Sequence, residues 1–244
     1  MRLAVLSDVH GNLPALEAVL VEVEREAPDL VVVCGDVASG PLPAETIDLL
    51  MTVSDARFVR GNADRGLVAA YDEVQRPDWP GPAADWCATQ IAAAQRDFLA
   101  SFEDSVLIEH EQLGRVVFCH GSPRSDEEIM SVATPLERMR ELVGGADADL
   151  VVCGHTHMQF DRRVDGIRVV NPGSVGMPYG EPGAFWALLG LDVELRRTDY
   201  DRGAAAARIR ASAWPDAAEF ARENVLVVPT VEEAVAFFAA HGGP

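Results

Sequence analysis

Residues 2–12 read RLAVLSDVHGN and join an apolar run to polar residues that a simple turn does not need. The run RLAVLS predicts a short buried strand, because it is largely apolar. The segment NLPALEAVLVEVERE (12–26) predicts a helix, with Asn12 as its N-cap. A strand-to-helix connection explains the Gly-Asn pair. It does not explain Asp8 and His10, which therefore indicate a functional site.

The same alternation of strand and helix continues through the first third of the chain. The runs LVVVC (30–34) and RFVRG (57–61) predict two more strands, and PAETIDLLMTV (43–53) predicts the helix between them. Strands that alternate with helices are typical of an α/β fold with parallel strands. We therefore predict an α/β protein.

Residues 72–103 interrupt this alternation. The Pro-rich start of this segment predicts a loop, and its Ala-rich remainder predicts one or two helices, which we interpret as an insertion over the edge of the core. After it we predict strands at 106–111, 115–119 and 149–153 and a helix at 134–143 with Thr134 as its N-cap. A hairpin follows at 158–170, with Asp165-Gly166 as its turn. Paired strands within 184–200 and a helical segment at 202–244 complete the chain. No internal repeat or low-complexity linker divides the chain, so we predict a single domain over residues 1–244.

Composition excludes several functions. The 244 residues carry a formal net charge of -19, and all 20 basic residues are Arg. The absence of Lys excludes a lysine Schiff base and a P-loop lysine. Affinity for nucleic acid rests largely on Lys and Arg that neutralise phosphates, so we expect no stable binding of duplex nucleic acid.

The cysteines and the N-terminus favour a cytoplasmic protein. The four Cys residues form no CxxC pair, the N-terminus lacks the apolar core of a signal peptide, and no apolar run reaches ~18 residues. We expect a soluble intracellular protein with reduced thiols and no membrane span. Cys34, Cys119 and Cys153 end apolar strands, and we interpret them as core residues rather than metal ligands. His110 and His241 fall outside every motif and are predicted at the surface.

Most of the unusual polar residues follow the ends of five predicted strands. They are Asp8, His10, Asp36, Asn62, His120, His155 and His157. In an α/β sheet the carboxyl ends of the strands are the usual ligand site, so these side chains are expected to converge on one crevice. Two carboxylates, four imidazoles and one amide oxygen suit two divalent cations, provided that one carboxylate bridges them.

Ligands of this kind also indicate which ions bind and what they do. Mixed nitrogen and oxygen donors favour transition metals, of which we favour Mn²⁺, with Fe²⁺, Ni²⁺ or Zn²⁺ as alternatives. Two ions ~3.5–4 Å apart can hold an attacking hydroxide and clamp phosphoryl oxygens in line. The seven residues therefore predict a dinuclear site for phosphoester chemistry.

Five short motifs occur in order along the chain. They are DVH, GDV, GNAD, HGS and GHTH, and NPGSVG (171–176) follows the predicted hairpin. In this order they resemble the calcineurin-like metallophosphoesterase superfamily, above all its small bacterial and archaeal phosphodiesterase-like branch. The resemblance extends from about residue 1 to 200. It implies a four-layer α/β/β/α sandwich with two facing mixed sheets.

The resemblance also implies a role for each ligand. Asp8, His10 and His157 would bind the first metal ion, Asn62, His120 and His155 would bind the second, and Asp36 would bridge them. A hydroxide between the ions would attack phosphorus directly, without a phospho-enzyme. The implied activity is that of a phosphodiesterase on a small nucleotide-like or other phosphodiester. Asp36, Asn62 and Asp64 would be the catalytic residues.

One position departs from the family pattern. Many members carry a His directly after the motif Asn, where it is thought to donate a proton to the leaving group, whereas this chain has Ala63. A general acid contributes ~10²–10⁴-fold to rate. We therefore hypothesise a preference for phosphodiesters and good leaving groups over alkyl monoesters. Asp64, which would orient the missing His, could instead support the metal ligands or pair with Arg60 or Arg65.

Substrate contacts and rival functions stay open at the level of sequence. Asn12, Arg65, Arg124 and Tyr179 are candidates for binding substrate phosphate, which Arg suits well. The alternatives to a phosphodiesterase are a protein or phosphomonoester phosphatase, a dinucleoside-polyphosphate hydrolase, and a catalytically silent metal-binding scaffold of the same fold. A homo-oligomer is compatible with the sequence.

Overall fold

The computed structural model of the chain describes residues 1–74 and 81–241. Within these residues, ten strands form two five-stranded sheets. The strands are β1 (Leu3–Leu6), β2 (Leu30–Val33), β3 (Ala56–Phe58), β4 (Val106–His110), β5 (Gly114–Phe118), β6 (Leu150–Val152), β7 (Phe160–Val164), β8 (Ile167–Asn171), β9 (Ala184–Leu189) and β10 (Val193–Thr198). The helices are α1 (Leu13–Glu26), α2 (Pro43–Met51), α3 (Asn62–Tyr71), α4 (Pro82–Gln90), α5 (Ala93–Ala100), α6 (Leu136–Val143), α7 (Arg202–Arg210), α8 (Ala217–Phe220) and α9 (Val231–His241). A π-helical segment, Ala221–Leu226, follows α8.

Both sheets are mixed. The first has the order β10-β9-β1-β2-β3, in which β1, β2 and β3 are parallel and the pair β9 and β10 closes one edge in antiparallel fashion. The second has the order β4-β5-β6-β8-β7, with β5, β6 and β8 parallel and an antiparallel strand at each edge. The parallel arrangement brings the carboxyl ends of neighbouring strands to the same edge of each sheet.

The alternation of side chains along β1 shows how the layers form. Ala4 and Leu6 pack against helices α1 and α2, whereas Leu3 and Val5 point to the other face and pack against the second sheet. Phe118 meets them from that sheet. Helix α6 covers the outer face of the second sheet. The four-layer α/β/β/α sandwich with two facing mixed sheets is therefore confirmed.

Helix α1 begins where the sequence predicts. The side-chain oxygen of Asn12 accepts a hydrogen bond from the Ala15 amide at 3.4 Å, and a proline lies in the first turn. Leu16, Val19 and Val23 are buried on one face of the helix. The predicted N-cap is confirmed, and this helix packs against β1, the strand that precedes Asp8.

The helices depart from the sequence analysis at three places: one helix was not predicted, and two begin elsewhere than expected. Helix α3 (Asn62–Tyr71) has no counterpart among the elements expected from sequence, because Gly66 lies in its middle and lowers helix propensity. Helix α4 begins at Pro82, inside the predicted loop, since proline is tolerated in the first turn. Thr134 does not cap α6; its hydroxyl accepts a hydrogen bond from the Ser131 amide at 2.9 Å, and Pro135 precedes the helix. The QRPDWP part of the predicted loop lies outside the described residues.

The surface prediction for His110 is also wrong. Its side chain is buried, with Nε2 3.0 Å from the Met1 carbonyl. Nδ1 accepts the amides of Gln112 and Leu113, both at 3.3 Å. The ring therefore holds the turn between β4 and β5 to the N-terminus. The side chain of His241 lies outside the described part.

The C-terminal segment is helical, as predicted, and packs as a cluster of its own. Helices α7 and α8 and the π-helical segment bury Ile209, Phe220 and Val225, with Met177 and Trp214 against them. Through Met177 this cluster reaches the loop that follows β8. Among residues 1–74 and 81–241, none of the helices has the length and apolar composition needed to cross a bilayer.

Candidate metal centre

The carboxyl ends of β1, β2 and β3 meet those of β5 and β6, and the predicted ligands lie where they meet. Two groups of three residues each bring their ligand atoms within 4.8 Å of one another. The first group is Asp8, His10 and His157, and the second is Asp36, His120 and His155. Asn62 adjoins the second group, with its Oδ1 3.1 Å from His120 Nε2. The fold thus brings all seven predicted ligands into one crevice.

Asp36 lies between the two groups. Its Oδ2 is 3.3 Å from His120 Nε2 and 3.8 Å from His10 Nε2. Its Oδ1 accepts the amide hydrogen of Ala63 at 2.8 Å. One carboxylate oxygen is therefore occupied by the backbone, and the other is available to both groups at once.

Backbone carbonyls decide which nitrogen of each imidazole faces the crevice. The Cys34 carbonyl lies 2.7 Å from His120 Nδ1, and the Met177 carbonyl lies 2.8 Å from His157 Nδ1. Because a carbonyl can only accept, each Nδ1 donates its hydrogen. The neutral ring then presents the lone pair of Nε2 to the centre, as histidine ligands of metals do.

The donor atoms of the first group fit a cation. His10 has its Nδ1 3.3 Å from the Ser39 carbonyl and its Nε2 only 3.1 Å from His157 Nε2. Asp8 Oδ1 lies 3.3 Å from the same His157 atom. Three buried acceptors that face one another repel unless a proton or a metal ion lies between them. The arrangement suits a divalent ion, which would satisfy all three.

The backbone at these residues is unusual. Five of the candidate ligands have a positive φ, a backbone conformation that residues other than glycine rarely adopt. They are Asp8 (56°), His10 (48°), Asp36 (56°), His155 (66°) and His157 (58°). Such strain concentrates at functional sites and persists only when the surrounding structure imposes it. Here it turns each side chain into the crevice directly after its strand.

Asp64 supports the centre from behind. Its buried carboxylate accepts three backbone amide hydrogens, those of Asp36 at 2.8 Å, Val37 at 2.9 Å and Gly61 at 2.9 Å. Asp64 therefore joins the loop that carries Asp36 to the loop before Asn62. The predicted ion pair of Asp64 with Arg60 or Arg65 is not formed, because those residues pair with Asp104 and Asp126.

The charges of the centre shift the pKa values of its groups in opposite directions. Burial disfavours the charged form of His120, but Asp36 outweighs burial and raises the pKa of His120 to about 10. Burial, assisted by His120, lowers the pKa of His155 to about 4. Burial and the nearby Asp36 raise the pKa of Asp64 to about 7. In the metal-free protein, a proton on His120 therefore balances the Asp36 carboxylate.

The cysteines beside the centre behave as core residues, as predicted. Cys34, Cys119 and Cys153 are all buried, and burial raises the pKa of each thiol. A thiol that keeps its proton is a poor metal ligand. In the described part of the chain, both groups of candidate ligands consist only of Asp and His.

The candidate arginines lie in ion pairs at the rim. Arg65 Nε lies 2.7 Å from an Asp126 oxygen, and Arg124 makes a forked contact with Glu128. Arg124 is half exposed, with 51% of its side chain accessible. A phosphate would have to displace these carboxylates, so the two arginines stay candidates for substrate contact.

The other two candidates lie closer to the ligands. Asn12 donates its amide hydrogen to the Gly176 carbonyl at 2.9 Å while it caps α1, so both ends of its side chain are in use. The Tyr179 ring stacks on His157, with centroids 5.6 Å apart. Asn12 remains a proposal as a phosphate contact, and Tyr179 covers one side of the first group.

Reasoning from sequence missed the groups that orient the ligands. These are the carbonyls of Cys34, Ser39 and Met177. Every residue carries a carbonyl, so the residue types give no signal of this role. The role of Asp64 did leave a signal in the sequence. An acidic residue two positions after the motif Asn can accept backbone amide hydrogens at the start of a helix.

Comparison with known proteins identifies the family. Residues 1–194 match the model of the calcineurin-like phosphoesterase superfamily domain. The chain belongs to this superfamily. The resemblance of the five motifs is thereby confirmed, and the protein is a metal-dependent phosphoester hydrolase.

Individual relatives of this phosphoesterase cover most of its length. Phosphodiesterase YfcE of Escherichia coli strain K12 is 28% identical over 204 residues, which span 79% of this chain and 89% of the relative. An uncharacterized protein of Methanocaldococcus jannaschii is 27% identical over 220 residues, or 82% of this chain and 88% of the relative. The crystal structure of a metallophosphoesterase from Sphaerobacter thermophilus superposes with a TM-score of 0.75 at 26% identity, covering 93% of this chain and 98% of that one.

Proposed function

We propose that this phosphoesterase hydrolyses small phosphodiesters at a dinuclear metal centre. The observation that carries the proposal is the set of buried acceptor atoms that face one another in two adjoining groups. The first ion would be held by Asp8, His10 and His157, the second by Asn62, His120 and His155, with Asp36 shared. Mixed nitrogen and oxygen donors favour Mn²⁺, with Fe²⁺, Ni²⁺ or Zn²⁺ as alternatives.

In this proposal the ions supply the nucleophile, and the side chains hold the ions in place. Two bound divalent ions would polarise the phosphoryl oxygens and lower the pKa of water enough to supply a nucleophile near neutrality. Asp36 holds its free oxygen between the two groups, because the Ala63 amide fixes the other oxygen. Asn62 presents an amide oxygen from the first turn of α3. Asp64 positions both by tying their loops together.

The preference for diesters rests on what surrounds Ala63. Its methyl group cannot donate a proton, and the neighbouring Asp64 is only 1% exposed and turned toward three backbone amides. Asp64 therefore does not replace the missing acid. Without a general acid, esters with poor leaving groups lose a factor of ~10²–10⁴ in rate. The name of the relative YfcE, a phosphodiesterase, supports the same assignment.

The test is the initial rate of hydrolysis of bis(p-nitrophenyl) phosphate and p-nitrophenyl phosphate with added Mn²⁺. Wild type, Asp36→Asn and the control Asp104→Asn are compared; Asp104 is a surface residue with 81% of its side chain exposed. We expect the diester to react faster than the monoester. We expect Asp36→Asn to lose more than about 100-fold in rate, since even residues behind a metal ligand contribute 10–100-fold. The control should match wild type.

The outcomes separate the competing functions. A faster monoester would leave the metal centre intact and overturn the argument from Ala63. Tight metal binding without hydrolysis of either ester would favour a silent scaffold of the same fold. Full activity of Asp36→Asn would contradict the shared role of that carboxylate.

A further inference from the structure

A cavity of about 280 Å³ adjoins the metal centre on the side of the first group. Its wall includes His10 and Ala63, so the cavity opens directly onto the candidate ligands. The remaining wall is formed by Ala83, Ala84, Met177, Trp214 and Phe220, together with Ser39. The volume lies just below the ~300–1,000 Å³ of sites for drug-sized ligands, which indicates room for a group the size of one ring.

Part of the wall comes from segments outside the two-sheet frame. Ala84 belongs to α4, whereas Trp214 and Phe220 belong to the C-terminal cluster. These residues are well packed. Ala84 is 2% and Phe220 7% exposed, and the rings of Trp214 and Trp86 form a T-shaped pair with centroids 5.0 Å apart. These parts of the wall are therefore packed against the rest of the fold.

The chemistry of the wall selects for apolar groups. Of the described residues that line it, only His10, Ser39 and Trp214 have a strong hydrogen-bonding group in the side chain, and the Trp214 indole can only donate. His10 is engaged with the first group of ligands, and the Ser39 hydroxyl donates to the Ala63 carbonyl at 3.4 Å. A group with several hydrogen-bonding edges, such as a nucleobase, would leave most of those edges without partners here. An apolar group would gain burial without such a loss.

We propose that this cavity binds an apolar, ring-sized ester group of the substrate, so that the enzyme acts on phosphodiesters with one such group. The inference rests on the proposed function and narrows its substrate class away from nucleotides. It also gives Ala63 a positive role. Because Ala63 lines the cavity, a larger side chain there would occupy the space that the ester group needs.

The experiment uses two phosphonates as probes of the whole chain. Phenylphosphonate and methylphosphonate carry the same anionic group and differ only in the apolar group. Their dissociation constants are measured by isothermal titration calorimetry in the presence of Mn²⁺. We expect phenylphosphonate to bind about 10- to 100-fold more tightly, as burial of a ring allows. Its heat-capacity change should be the more negative of the two.

Two variants and a control assign the preference to the cavity. Ala83→Phe fills the cavity from its exposed rim, and Trp214→Ala removes one ring of the wall. Both should bring the ratio of the two dissociation constants close to one. Ala94→Phe, an equally exposed alanine on α5 that does not line the cavity, should keep the wild-type ratio.

The outcomes distinguish this inference from the proposed function. Equal affinity of wild type for the two phosphonates, or no binding of either, overturns the cavity assignment. A preference that persists in both Ala83→Phe and Trp214→Ala overturns it as well. Hydrolysis of bis(p-nitrophenyl) phosphate is measured separately; its absence would refute the proposed function, whereas the phosphonate ratio would still decide the cavity.

Discussion

At the scale of single residues, protons and metal ions compete for the same nitrogens. His120 has its Nδ1 hydrogen committed to the Cys34 carbonyl, so only Nε2 is available to a cation. Next to Asp36, that nitrogen holds a proton far more tightly than a free imidazole does. In the metal-free centre, His120 therefore carries a proton that balances the Asp36 carboxylate, and a metal ion bound at His120 Nε2 would displace that proton.

This competition predicts that Mn²⁺ affinity rises with pH. The pKa of His120 is raised from 6.5 to about 10, so protonation stabilises the metal-free fold fully below pH 6.5, and that contribution is lost as the pH rises through 10. The dissociation constant for Mn²⁺ should fall by about tenfold per pH unit between pH 6.5 and 9. Titrations at several pH values measure the slope. A flat profile, or an unchanged slope in His120→Gln, would contradict the assignment.

Asp64 is a second residue whose effect is indirect. Asp64→Ala removes the acceptor of three amide hydrogens and frees the loops that carry Asp36 and Asn62. We expect a loss of about 10- to 100-fold in Mn²⁺ affinity, the range for residues that orient metal ligands. Asp104→Ala, at the surface, should change nothing. Wild-type affinity in Asp64→Ala would show that the loops hold their positions without it.

At the scale of elements, helix α3 fits against the strand ends only because the residue before it, Gly61, has no side chain. A Cβ atom at Gly61 would lie 2.1 Å from the Asp36 Oδ1 atom. The Asp36 carboxylate thus occupies the space of the absent side chain and accepts an amide of the first turn. Close approach of a helix start to a carboxylate places the positive end of the helix dipole beside it.

Gly61→Ala should therefore damage the centre more than the fold. The added methyl group must push the Asp36 carboxylate away, and we expect activity on bis(p-nitrophenyl) phosphate to drop by at least about tenfold. Gly203→Ala in α7 is the matched control, because its added Cβ would meet the Asp201 side chain at an easier 3.3 Å, far from the centre. That control should keep full activity. Equal activity of the two variants would refute the steric argument.

The same scale shows what sequence can and cannot predict. The convergence of the seven candidate ligands was predictable, because each follows a predicted strand and their residue types share one chemistry. The start of α3 was not, since Gly61 and Gly66 are typical of loops when the contact with Asp36 is unknown. The cavity was also hidden, because Trp214 and Ala84 are far apart in the chain and carry no motif. Contacts between distant segments decide these features, and local patterns do not report them.

At the scale of the whole molecule, each group of ligands draws on both sheets. Asp8 and His10 follow β1 of the first sheet, and His157 follows β6 of the second. In the second group, Asp36 follows β2 and His120 follows β5. A metal ion bound by either group would therefore link the two sheets.

Metal removal should lower the stability of the whole fold. An ion that binds only the folded chain adds about 2.7 kcal/mol to the free energy of unfolding when its free concentration is about 100 times its Kd. For a chain of this length, that corresponds to a rise in Tm of about 5–10 °C over the EDTA-treated protein. Scanning calorimetry with Mn²⁺ and with EDTA measures the difference. Asp36→Asn should show a much smaller shift, and a full shift in that variant would place the stabilising ion elsewhere.

Because each group of candidate ligands draws on both sheets, metal binding would also depend on correct packing of the two sheets. A chain whose sheets have formed but packed out of register holds no complete set of ligands, because neither sheet supplies one alone. If the proposed centre binds metal, only the correctly assembled sandwich would capture the ion and gain its binding energy. In a cell, metal supply would therefore favour the correctly folded chain, and chains without metal would be degraded by proteases more readily.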